Sequence, residues 1–166
     1  MEVGFSLGSN RGNLVANMRE AKRRILDSPE VTFVAQSALY ETEPVGVAPE
    51  HAHLKFMNAV LVVDSERTAA EWLEVLHRIE DEMGRRRTYD RNAPRTMDVD
   101  ILYAGAACID SGGLVVPHPR WAQRRFVVQP LADVRPDLVL PGAGKTVKEI
   151  LSGLEGEGVT EFTREW

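Results

Sequence analysis

Two stretches of this chain repeat the same apolar spacing, and that repetition restricts the fold more than any other feature. Leu14, Met18, Ala21 and Ile25 recur at intervals of four, three and four, and so do Trp72, Leu76, Ile79 and Met83. An α-helix lines such positions along one stripe, so each stretch reads as a helix that buries a single face. Asn13 stands before the first as an N-cap, and Asp27-Ser28-Pro29 stops it. Thr68 and Glu71 form a capping-box pattern before the second, with Gly84 as a natural C-terminal stop.

Strand patterns flank these helices. Val3, Phe5 and Leu7 alternate with Gly4, Ser6 and Gly8, the period of a half-buried strand. Val31 to Leu39 reads as a second strand, running into the loop Thr42 to Pro49. The nearly continuous apolar run Phe56 to Val63 reads as a third, and Thr96 to Tyr103 as a fourth. Strand, helix, strand, strand, helix, strand is the order of a ferredoxin-like α+β sandwich, a mainly antiparallel sheet with helices on one face. A C-terminal elaboration follows. Leu114 to Pro117 reads as a short strand, Pro119 to Phe126 as a helical turn or loop, and Thr146 with Glu149 caps a last helix through Leu154. No repeat or long linker divides the 166 residues, so a single domain over 1–166 is expected.

Composition narrows the setting. A net charge of −5 argues against a nucleic-acid coating protein or a polybasic membrane binder. A lone Cys108 excludes an internal disulfide and fits a reducing compartment. The N-terminus lacks the pattern of a signal peptide, and no apolar run approaches the ~20 residues of a membrane span. The expectation is a soluble, cytoplasmic monomer with no nucleic-acid or membrane partner.

Within this acidic chain lies a basic zone. Eight of the sixteen arginines fall between Arg85 and Arg125, against four lysines in all. The planar guanidinium fork suits phosphate oxygens, although arginines paired with surface glutamates would leave the same count. Asp98-Val99-Asp100 follows the zone. In a strand these carboxylates share a face about 6–7 Å apart. Unscreened by a partner, they would repel by about 2.5 kcal/mol at an effective dielectric near 20. A hard divalent cation reverses that sign, and Mg²⁺ is commonly held by one or two carboxylates plus phosphate oxygens. Met97, Val99, Ile101 and Tyr103 would then face the core together. Carboxylates beside arginines are the parts of phosphoryl transfer. Gly142-Ala143-Gly144-Lys145-Thr146 imitates the end of a phosphate-binding Walker loop, but Val139 occupies its first glycine position. His51, His53, His77 and His118 show no zinc spacing.

The run Arg91-Asn92-Ala93-Pro94-Arg95-Thr96-Met97-Asp98-Val99-Asp100-Ile101-Leu102 resembles the signature of the 6-hydroxymethyl-7,8-dihydropterin pyrophosphokinase family of folate biosynthesis. Leu7-Gly8-Ser9-Asn10, Tyr40 to Gly46, Phe56-Met57-Asn58-Ala59, Val116-Pro117-His118, Arg124 to Phe126 and Pro130-Leu131 extend the likeness in order. The resemblance implies the ferredoxin-like fold and transfer of pyrophosphate from ATP to the pterin hydroxymethyl oxygen, releasing AMP. It implies two Mg²⁺ ions on Asp98 and Asp100, and catalytic roles for Arg85 and Arg95. By the same likeness Arg87, His118 and Arg124 contact phosphates, while His77, Glu80 and Ile101 lie near the nucleotide. Phe56 and Phe126 match the aromatic pair that stacks on the pterin. Asn58 and the main chain of Thr42, Glu43 and Val45 match its polar edge readers. Asn92 stands where many members place a Trp, and Pro119 where an aromatic often follows the histidine. Two other readings stay open at this point: a non-catalytic RNA- or nucleotide-binding module, and a metal-dependent phosphotransferase with another acceptor.

Overall fold

The computed structural model describes residues 1–42, 55–84, 96–156 and 159–166. Strand β1 (Glu2–Ser9) buries Val3, Phe5 and Leu7 completely on one face. Helix α1 (Leu14–Leu26) follows, its N-cap Asn13 accepting the Ala16 N–H at 3.1 Å. Helix α2 (Ala69–Glu82) opens on a reciprocal capping box. The Glu71 N–H donates to Thr68 Oγ1 at 3.2 Å, and the Thr68 N–H to Glu71 Oε1 at 3.4 Å. Both apolar stripes face the same side of the sheet, where Phe5 and Trp72 meet edge to face with ring centroids 4.9 Å apart.

β1 lies between β4 (Phe56–Ser65) and β5 (Asp98–Ala104) and is antiparallel to both. The other edge of β4 pairs with β2 (Val31–Gln36) and then β3 (Leu39–Thr42). Fourth, first, third, second is the strand order of the ferredoxin-like sandwich, as the sequence predicts. The expected single strand Val31 to Leu39 is instead two segments. At the break the Val60 N–H donates to Ser37 Oγ at 2.8 Å, so a side chain replaces a ladder bond.

Most of the C-terminal elaboration covers the opposite face, while its first hairpin packs Leu114 and Val116 into the α1–α2 core. A hairpin of β6 (Ile109–Ser111) and β7 (Leu114–Val116) leads through a 3₁₀ turn (Trp121–Gln123) to helix α3 (Arg125–Val134). The helix is longer than the turn expected from sequence. Pro130 sits inside it and forfeits one helical hydrogen bond, but Val127, Val128 and Leu131 are buried against Val60, Val62 and Leu102. Helix α4 (Val147–Gly153) has the expected Thr146–Glu149 cap, and β8 (Val159–Thr163) adds an unexpected strand beside β3. Among the described residues no helix is long and apolar enough to cross a membrane.

Tyr103 departs from the expected pattern. Pairing runs Phe5 to Ile101 but Gly4 to Tyr103, so Leu102 is an extra residue and Tyr103 turns to the α3 face. Its ring lies over Gly4, where a Cβ would approach Tyr103 Cε1 to 2.2 Å. Gly4→Ala should therefore cost about 3 kcal/mol by overpacking, read as a lowered melting temperature. The Tyr103 hydroxyl donates to Glu2 Oε2 at 2.7 Å, and Arg135 grips both Glu2 oxygens at 2.7 and 3.2 Å. The Arg135 hydrogen bond holds the Glu2 carboxyl below its ordinary range against a smaller opposing effect of burial. This stability is complete above the usual carboxylate pKa of about 4.3 and is lost as pH falls through the depressed folded value. Water reaches the cluster, so Glu2→Gln should cost only about 1 kcal/mol at neutral pH. Denaturant titrations of variant and parent should converge in acid.

Candidate active site

The register of three strands assembles one surface. Gly8 lies opposite Asn58 on β4 and opposite Asp98 on β5, and Ser6 lies opposite Val60 and Asp100. Directly opposed residues share a sheet face, so Asp98, Asp100, Ser6, Gly8 and Asn58 all face away from α1 and α2. Phe56 and Thr42, opposite one another two residues further along, join them. Both aspartates are half-buried, as an acidic pair open to a ligand must be.

Asn58 is only 5% exposed, and its Nδ2 donates to Thr42 Oγ1 at 3.0 Å. Gly8 leaves room beside it, since a Cβ there would stand 3.0 Å from Asn58 Oδ1. Tyr40, opposite Asn58, donates its hydroxyl to Asp133 Oδ2 at 2.7 Å and so ties β3 to α3.

The segment after β7 stands beside the aspartates. His118 follows the β6–β7 hairpin, and its main-chain N–H donates to the Leu102 carbonyl at 3.0 Å. The Arg120 N–H donates to His118 Nδ1 at 3.1 Å, which assigns the proton of the neutral ring to Nε2. That nitrogen lies 4.0 Å from Asp100 Oδ2. Burial pushes the His118 pKa down, Arg124 and Arg120 add to the shift, and Asp98 opposes it. The ring is therefore neutral at pH 7 and can donate without carrying charge. The Arg124 guanidinium lies 5.7 Å from the centroid of the half-buried Phe126 ring. Arg120 belongs to the basic zone and to the expected turn Pro119 to Phe126, but its bond to His118 had no local signal.

The remaining expected residues do not all gather here. His77 is exposed on α2, while Glu80 and Ile101 are buried between α2 and β5, on the other side of the strand from the aspartates. Glu80 Oε2 accepts the Val99 N–H at 3.4 Å. Glu43, Val45, Arg85, Arg87, Asn92 and Arg95 lie outside the described residues, as do His51 and His53.

Among the described residues no group of three or more metal-ligating side chains could enclose an ion by protein atoms alone. Two neighbouring carboxylates on an open face are instead the donor set of a hard cation shared with water and phosphate oxygens. The fold is an α+β sandwich that presents this acidic pair beside His118 on one open face.

The sequence matches the family 7,8-dihydro-6-hydroxymethylpterin-pyrophosphokinase over residues 4–136, and the chain belongs to that family. It is 38% identical over 155 residues to the 2-amino-4-hydroxy-6-hydroxymethyldihydropteridine pyrophosphokinase of Methylorubrum extorquens, covering 93% of this chain and 94% of that one. To the protein of the same name from Pseudomonas aeruginosa it is 39% identical over 161 residues, covering 95% and 94%. Among solved structures, Plasmodium falciparum HPPK-DHPS with pteroate superposes with a TM-score of 0.72 at 14% identity, over 91% of this chain. The chain spans 42% of that longer protein, and the likeness shows the fold.

The Asn58–Thr42 bond can be tested alone. Thr42→Val keeps the shape but leaves a buried amide N–H without its acceptor, which should cost about 1–3 kcal/mol in denaturant titration.

Proposed function

We propose that the aspartate-bearing face is where this pyrophosphokinase family member transfers pyrophosphate from ATP to the hydroxymethyl oxygen of 6-hydroxymethyl-7,8-dihydropterin, giving AMP and the pterin diphosphate of folate biosynthesis. One observation carries the assignment of the site. The row Asp98, Gly8, Asn58 brings a half-buried carboxylate and a buried amide onto one sheet face, which supports a metal–triphosphate beside a flat heterocycle.

Asn58 and the main chain of Thr42, Glu43 and Val45 would read the polar edge of the pterin, and Phe56 and Phe126 would supply stacking faces. Asp98 and Asp100 would hold two Mg²⁺ ions. When bound, Mg²⁺ supplies charge neutralisation and orientation of the triphosphate. His118 offers its Nε2–H, and Arg124 its fork, to phosphate oxygens. Arg87 would add a further phosphate contact, while Arg85 and Arg95 would neutralise charge as the β-phosphorus is attacked. His77, Glu80 and Ile101 would stand toward the nucleotide on the α2 side of β5. We read the chain as one domain acting as a cytoplasmic monomer.

Incubating the chain with ATP, Mg²⁺ and the pterin should release AMP and not ADP. Asp98→Asn and Asp100→Asn should each lower that rate about 10²- to 10³-fold or more, with the melting temperature preserved. Near-normal turnover in either variant would contradict the assignment.

A further inference from the structure

Beyond Gly8, the turn Ser9-Asn10-Arg11-Gly12-Asn13 has no task in the reaction as read so far, yet its hydrogen bonds lead to the root of β5. Ser9 is 1% exposed, and its hydroxyl donates to the Thr96 carbonyl at 2.5 Å. The same oxygen accepts from Asn17 Nδ2 at 3.1 Å, and that amide nitrogen also donates to the Arg11 carbonyl at 2.7 Å. A carbonyl only accepts, so the Arg11 bond fixes which end of the Asn17 carboxamide is nitrogen. With an amide donating to it, the Ser9 oxygen turns its own proton toward Thr96. Main-chain pairing of β1 with β5 ends where Gly8 faces Asp98. The Ser9–Thr96 bond extends that attachment past the last ladder pair, two residues before Asp98 and next to Arg95 in the chain.

We infer that Asn17 and Ser9 are positioning residues for pyrophosphoryl transfer. Their relay, from amide to hydroxyl to the Thr96 carbonyl, clamps the start of β5 and sets the placement of Asp98. The inference rests on the function proposed above. It also has a direction. Asn17→Asp keeps the size of the side chain but puts an acceptor where a donor stood. The Ser9 proton then turns to the carboxylate, and Thr96 is released. Asn17 is half-buried at the start of α1, where water can solvate the new charge.

The test measures kcat and KM for both substrates, melting temperature, and amide hydrogen exchange over residues 96–100 in the ligand-free full chain. Asn17→Asp and Ser9→Ala should each lower kcat about tenfold or more, since small displacements of reacting groups are costly, while KM stays within about twofold. Exchange over residues 96–98 should quicken in both. The double variant should be no slower than the worse single one, because both break the same relay. Unchanged kcat, losses that multiply in the double variant, or an effect confined to melting temperature would overturn the inference. If the unmodified chain makes no AMP, the proposed function fails instead. Exchange then decides the clamp, and unchanged rates in Asn17→Asp would refute it.

Discussion

A missing side chain at the centre of the sheet is what the candidate site depends on. Gly8 faces Asn58 on one neighbour and Asp98 on the other, and any Cβ there would press on Asn58 Oδ1. Strands in a sheet stand about 4.8 Å apart, so Asn58 and Asp98 are held about 10 Å from one another by two ladders of main-chain bonds. On the function proposed above, the group that reads the ring and the group that holds the metal would need a fixed separation. Here the backbone sets it, and flexible side chains only finish the fit.

The two faces of the sheet divide the work. On one, α1 and α2 close over β1 with an apolar core that admits the buried Glu80 beside β5. On the other, α3 covers Val60, Val62 and Leu102 but leaves Asp98, Asp100 and Phe56 only partly buried. The same helix begins beside Arg124 and carries Phe126 in its first turn. The C-terminal elaboration thus both seals the second face and lends the site its cation and one of its rings. Electrostatics reinforce the division. Burial, Arg124 and Arg120 push the His118 pKa down, favouring the neutral ring beside Asp100.

Features written in local spacing were legible in the sequence. The two helical stripes, the Asn13, Thr68 and Thr146 caps, and the shared face of Asp98 and Asp100 each follow from residues a few positions apart. Features fixed by contacts between distant segments were not. Ser37 ends β2 through Val60, an extra residue turns Tyr103 over, and Ser9 meets Thr96 across 87 positions. Pro130 hides α3 because the local cost of a proline is visible and the burial that outweighs it is not. Strand alternation placed Ile101 away from the aspartates, and the helix face shared with Leu76 pointed to burial of Glu80, but the Val99 N–H as its partner depended on how α2 packs on β5.

That burial gains a physical reason from where β5 sits. Among the described residues it is an edge strand, with β1 on one side and no strand on the other. Edge strands fray and slip, an awkward place for two carboxylates that must stay in register. In this chain the groups off the β1 ladder are taken up by other elements. The Val99 N–H meets Glu80 Oε2, and the Leu102 carbonyl accepts from the His118 N–H. Thr96 is held by Ser9 at one end of the strand, and Tyr103 by Glu2 at the other. Two contacts from other segments, Glu80 and His118, line the open edge, and two from the ends of β1 pin the ends of β5, while the aspartate face stays uncovered. A paired strand would have given the same rigidity, but it would also have extended the sheet beneath the place where His118 now stands beside Asp100.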